Sequence, residues 1–287
     1  MAFAAPAIVG LLWFTAYPVL ASLYYSFCNY HVLAPPQFVG VANYERLLED
    51  PLFFTSLYNT AYYAVFAVPL GIVVALCLAL LLNTKSRGLS FFRTCFYVPS
   101  VVPIVASAML WIWIMNPQEG AINDLLLKVG VQNPPGWLQS PEWSKPAIIL
   151  WSIWNVGGAM VIFLAALQDV PRELHEAAVL DGARRLDSFR SVTVPFISPQ
   201  ILFMVVIGLI GAFQFFTPAY VMTRGTGGPV DSTTFFSFYL FNVAFGDFKM
   251  GYASAMAWIL LLIVLAATAV ILRSSARHVY YQGGEAP

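Results

Sequence analysis

Glu176-Ala177-Ala178-Val179-Leu180-Asp181-Gly182, followed after nine residues by Val192-Thr193-Val194-Pro195, decides how this chain folds. The segment is charged and rich in small residues, and a long apolar run stands on either side of it. Such a segment must lie in water on one side of a membrane that the flanking runs cross. Asp169 is placed to cap a helix with Pro171 in its first turn, and Arg172 to Asp181 then predicts about three helical turns. Leu174, Ala177 and Ala178 fall at spacings of three and four, so they share a face. Gly182 is placed to end the helix in a left-handed conformation. A second, basic helix is expected through Arg184, Arg185 and Arg190, with Pro195 breaking it before the next apolar run. A short helix with small residues on one face suits a partner's groove, to which Glu176 and Asp181 offer charge. It equally suits an amphipathic rest on lipid headgroups.

The composition makes the membrane necessary. Of 287 residues, 60% are hydrophobic and 10% are charged, against about 25% charged in soluble domains. Six runs without Asp, Glu, Lys or Arg lie near 2–28, 57–83, 94–115, 146–168, 196–222 and 250–272. Each holds the roughly 20 residues that a crossing helix needs, far more than a barrel strand requires. The expectation is an all-α polytopic membrane protein of six transmembrane helices. Residues 1–287 form one domain, with 169–195 as a cytoplasmic loop inside it.

Lysine and arginine in the loops orient the chain. Lys85, Arg87, Arg93, Arg172, Arg184, Arg185, Arg190, Arg273 and Arg277 fall on one side. Arg46, Lys128, Lys145, Arg224 and Lys249 fall on the other. The first side is taken as cytoplasmic, with both termini there. No basic residue precedes the first run, which reads as a retained span rather than a cleaved signal, and a native N-terminal tail is expected ahead of it. The net charge of zero gives no pointer to nucleic acid.

No catalytic set emerges. The chain lacks a Gly-x-x-x-x-Gly-Lys-Ser/Thr loop for ATP phosphates. His31, His175 and His278 stand apart, without metal-ligand spacing. Cys28, Cys77 and Cys95 form no framework. Gly157-Gly158 reads as close helix packing. The runs carry no ionisable relay, which suits a neutral, hydroxyl-rich solute. Trp151, Trp154 and Asn155 in the fourth run, with Phe213, Gln214 and Phe215 in the fifth, are candidates to line its path. Taken singly, each aromatic more often packs between helices or faces lipid, and each amide could equally bond a neighbouring helix. Trp111 and Trp113 read as anchors at the outer interface. The outer loops at 29–56, 116–145 and 223–249 either cap the helices or receive a protein partner.

The spacing of Glu176, Ala177, Ala178, Gly182, Val192, Val194 and Pro195 resembles the EAA loop of ABC-importer permeases, with Val where that family more often has Ile and Leu. Tyr220 through Pro229 with Ser232-Thr233, Gly251-Tyr252-Ala253-Ser254-Ala255, and Phe38 through Tyr44 are similar to the carbohydrate permeases of maltose, trehalose and glycerol-phosphate type. The resemblance implies a type I ABC-importer permease fold in the bacterial inner membrane. It implies a coupling helix that enters a groove on an ATP-binding subunit. There Glu176 would meet a basic residue, Ala177 and Ala178 would permit close approach, and Gly182 would supply the turn. It also implies a second homologous permease, two ATP-binding subunits that hold ATP and Mg, and an extracytoplasmic sugar-binding protein. This chain would bind no cofactor and catalyse nothing itself. The expected function is import of a di- or oligosaccharide. The alternatives are a stand-alone secondary carrier, or a permease for a glycerol phosphoester.

Overall fold

The computed structural model describes residues 4–84, 86–275 and 279; Lys85, Arg277, His278 and both chain ends lie outside them. The described residues are mostly helical. In chain order the main helices are α1 (Ala5–Ser26), α2 (Ala42–Glu49), α3 (Pro51–Leu82), α4 (Leu89–Val101), α5 (Ile104–Ile114), α6 (Ala121–Lys128) and α7 (Pro141–Trp154). There follow α8 (Gly157–Gln168), α9 (Arg172–Leu180), α10 (Arg185–Phe196), α11 (Ser198–Phe213), α12 (Thr217–Met222), α13 (Phe236–Gly246) and α14 (Met250–Ser275). A two-residue antiparallel pairing, Cys28–Asn29 with Gln37–Phe38, is the one sheet among them.

Three helices, α1, α3 and α14, are long and apolar enough to cross a membrane unaided. The other apolar runs are bent pairs. α4 and α5 meet at 100°, α7 and α8 at 49°, and α10 and α11 at 63°. If each pair is one span, the total is six. The run 94–115 is therefore not one straight helix. Val102, just before Pro103, leaves helical geometry at ψ 131°, the conformation a following proline favours. The run 196–222 also divides, because the chain leaves helical geometry at Gln214–Phe216 before α12 begins. Ser237 Oγ donates 2.9 Å to the Phe213 carbonyl freed there.

α3 is the mast of the fold. Asp50 caps it by accepting the Leu52 N–H at 2.9 Å, and Pro51 fills its first turn, where the missing N–H costs nothing. Its 32 residues span about 48 Å, well beyond a hydrocarbon core of about 30 Å. The surplus turns pack against α13 and α14 through Phe53, Phe236 and Tyr252. Asp50 Oδ2 also accepts the hydroxyls of Tyr239 and Tyr252. Burial pushes the Asp50 carboxyl up, but these tyrosines and the N–H groups of Leu52 and Phe53 more than offset it. The net shift is downward. At the other end, Arg93 caps α3 by donating 3.0 Å to the Leu82 carbonyl.

Close backbone approaches hold the bent pairs. A Cβ on Gly157 would collide with the Phe96 carbonyl and stand 2.9 Å from Tyr97 Cα, whereas one on Gly158 would meet nothing within 4 Å. The expected close packing thus belongs to Gly157 alone. Trp111 is buried against Trp154 at 6.0 Å between ring centroids, so it is a core residue and not an interface anchor. Trp113 is 75% exposed.

Candidate functional site

The polar segment folds as its glycine requires. α9 ends in a Schellman turn. Gly182 takes φ +79°, its N–H bonds the Val179 carbonyl at 3.0 Å, and the Ala183 N–H bonds that of Ala178 at 2.9 Å. The helix start differs from expectation. Its N-cap is Pro171, with no side-chain cap, and Asp169 instead closes α8. Pro195 does not end the second helix either. α10 widens into a π turn at Phe189–Thr193, which absorbs the hydrogen bond the proline cannot make. The chain continues to Phe196, and the bend comes at buried Ile197.

Glu176, Ala177 and Asp181 are exposed and Ala178 is half-buried. Leu180 is 88% exposed and Val179 67%. A short helix that bares both charges and apolar ends has a surface still to be covered. The six named positions Glu176, Ala177, Ala178, Asp181, Gly182 and Pro195 thus fall on one turn-linked helix pair. His175 Nδ1 lies 2.9 Å from Ser188 Oγ on that pair.

A cleft of about 250 Å³ opens among α3, α7–α8 and α11. Tyr63, Ser152 and Asn155 supply its polar edge, and Gly71, Gly208 and Gly211 are part of its small-residue wall. Among the described residues, no Asp, Glu, Lys or Arg lines it. Of the six residues expected along the path, Asn155 lines this cleft. Trp151 and Phe213 are buried in the core, Trp151 donating Nε1–H to Ser107 Oγ at 2.8 Å. Phe215 packs on Tyr63 at 4.3 Å and on Phe235 at 5.1 Å. Trp154 is half-buried and Gln214 exposed. Sequence reasoning missed Tyr63 and the glycines of α11. The four-residue spacing of Asn59, Tyr63, Ala67 and Gly71 along α3 was the available signal.

Above the aromatic cluster, Asn59 is buried and pins the turn-rich loop. Its Nδ2 donates to the carbonyls of Asp231 (2.8 Å) and Thr234 (3.0 Å), and its Oδ1 accepts from Lys145 Nζ (3.0 Å). In that loop Val230 and Asp231 hold φ of 54° and 53°, a strained state for a β-branched residue.

Comparison with known proteins places this architecture. Residues 67–278 match the family described as binding-protein-dependent transport system inner membrane component. The chain is 41% identical over 286 residues to the probable ABC transporter permease protein YesP of Bacillus subtilis (strain 168), covering 99% of this chain and 92% of that one. It is 38% identical to the lactose transport system permease protein LacF of Rhizobium radiobacter, covering 91% and 89%. In fold it is similar to a chain of a bacterial ABC transporter that imports the acidic polysaccharide alginate, with a TM-score of 0.79, 24% identity and coverage of 96% and 94%. A polytopic helical chain with bent apolar pairs and an exposed helix between them has found its relatives: it belongs to the binding-protein-dependent transport system inner membrane components, the membrane-embedded permeases of ABC transporters.

Proposed function

We propose that this chain forms half of a translocation path for a di- or oligosaccharide, with residues 1–287 acting as one six-span domain. An extracytoplasmic binding protein delivers the sugar, and a second homologous permease supplies the other half. Two ATP-binding subunits, carrying ATP and Mg, drive the cycle. α9 is the coupling helix. Glu176 pairs with a basic residue of an ATP-binding subunit, Ala177 and Ala178 allow contact, and Asp181, Gly182 and Pro195 set the turn and exit. Both termini lie in the cytoplasm with α9.

The observation that carries the reading is α9 itself, exposed on its charged and small-residue face between two bent apolar pairs. The uncharged cleft supports a sugar over a glycerol phosphoester, because a phosphate dianion in a low-dielectric wall needs a cation beside it. Asn155 and Tyr63 are suited to bond hydroxyls there, while Trp151, Trp154, Phe213, Gln214 and Phe215 brace or extend the path. Membership of a binding-protein-dependent family argues against a stand-alone secondary carrier.

The test is Glu176→Lys in the complete importer reconstituted in liposomes, with uptake measured for the solute that the cognate binding protein retains. Reversing a charge at a docking contact should cut uptake at least about tenfold while membrane insertion is unchanged. Normal uptake with normal association of the ATP-binding subunits would overturn the coupling assignment.

A further inference from the structure

α9 carries little that ties it to the rest of the fold. Among the described residues its side chains form one hydrogen bond to another element, His175 Nδ1 with Ser188 Oγ at 2.9 Å. Either tautomer can serve, since the serine hydroxyl both donates and accepts. Ser188 is 8% exposed and His175 half-buried, so the bond is partly shielded. Cavities of about 300 and 440 Å³ border His175 on the sides of α10 and α8. The helix therefore has open space beside it, and beyond the Schellman turn this bond is the side-chain tie between α9 and α10 among the described residues. From Ser188 the chain runs through the π turn to Ile197, which is fully buried and makes the bend a packed corner rather than a loose hinge. α11 begins at the next residue and places Gly208, Gly211 and Ala212 on the cleft.

We propose that His175 is a positioning residue for coupling: its bond to Ser188 fixes α9 on α10, so that displacement of α9 reaches the cleft wall on α11 instead of being lost as tilt. The proposal rests on the coupling role given to α9 above, and it adds the internal joint through which that role operates. Loss of one hydrogen bond of ordinary net strength alters a conformational equilibrium by about fivefold. His175 is thus expected to matter for motion of the cleft without being a contact to the motor.

The test uses the complete importer in nanodiscs, with Cys28, Cys77 and Cys95 replaced by alanine and a single reporter cysteine at Gly211, where an added Cβ meets nothing within 4 Å. N-ethylmaleimide labelling is measured without nucleotide and with ATP plus vanadate. His175→Ala and Ser188→Ala should each shrink the nucleotide-driven change in labelling about fivefold, with the ATP-binding subunits still copurifying. The double variant should be no worse than either single one. His175→Asn should restore the change, because its amide places a polar atom where Nδ1 stands. A full labelling change in both single variants, additive effects in the double, or loss of copurification in His175→Ala would each overturn the proposal. Glu176→Lys separates the two layers. If it too leaves the change intact, the coupling role of α9 falls. If it abolishes the change while His175→Ala does not, only the joint falls.

Discussion

Gly182→Ala isolates the conformational term at the end of α9. Gly182 holds φ +79°, and a Cβ built there meets nothing within 4 Å. The substitution therefore introduces no clash, and its cost is that of forcing an L-residue into left-handed geometry, about 1–2 kcal/mol. That cost falls on the two Schellman bonds, Gly182 N–H to Val179 and Ala183 N–H to Ala178. A penalty of that size changes the local open-to-closed ratio by roughly 5- to 30-fold. Hydrogen exchange of the importer in nanodiscs should show the 175–183 amides losing protection by that factor, with α3 unaffected, because local openings are largely independent of distant elements. Gly182→Asn should lose much less, since asparagine tolerates this conformation. Equal protection in the alanine and asparagine variants, or unchanged exchange in both, would refute the argument that left-handed strain governs this turn.

Other expectations follow from the packing. Gly157→Leu should lower thermal stability by about 1–3 kcal/mol, as overpacking does, because the side chain would enter the backbone of α4 at Phe96 and Tyr97. Gly158→Leu, with open space, should be close to neutral in the same melts. Asp50→Asn should lower the melting temperature at pH 7. The native Asp50 carboxyl sits below the ordinary 3.8, so its contribution is complete above that value and is lost as pH falls through it toward the lowered native one. The gap between the native chain and the asparagine variant should therefore close on acidification, and a gap that widens would contradict the assigned shift.

Much of this was legible in the chain. The apolar runs locate the long helices because a bilayer demands about 20 residues whatever the packing. Gly182 reads as a left-handed stop because the requirement is local. The bends were not legible. Pro69 lies inside α3, which continues unbroken to Leu82, while Pro103 accompanies a 100° turn. A proline removes the same hydrogen bond in both places, and the neighbours decide whether the helix absorbs the loss. The site divides in the same way. The helix that carries Glu176 and its stop at Gly182 could be placed from spacing. Trp151 and Phe213 could not be told from lining residues, because an aromatic side chain serves equally as core filling, and only the crossing of α3, α7 and α11 turns them inward. Asn155 lies on the cleft because α7 ends at that residue.

The absence of fixed charge along the cleft wall has an electrical consequence. If the proposed path runs along it and the cargo is a neutral sugar, that cargo carries no current, so the membrane voltage, worth about 2.3 kcal/mol per elementary charge at 100 mV, neither assists nor opposes its passage. Accumulation by such a route should hold steady in depolarised cells that keep their nucleotide pool, and the whole uphill work then falls on hydrolysis.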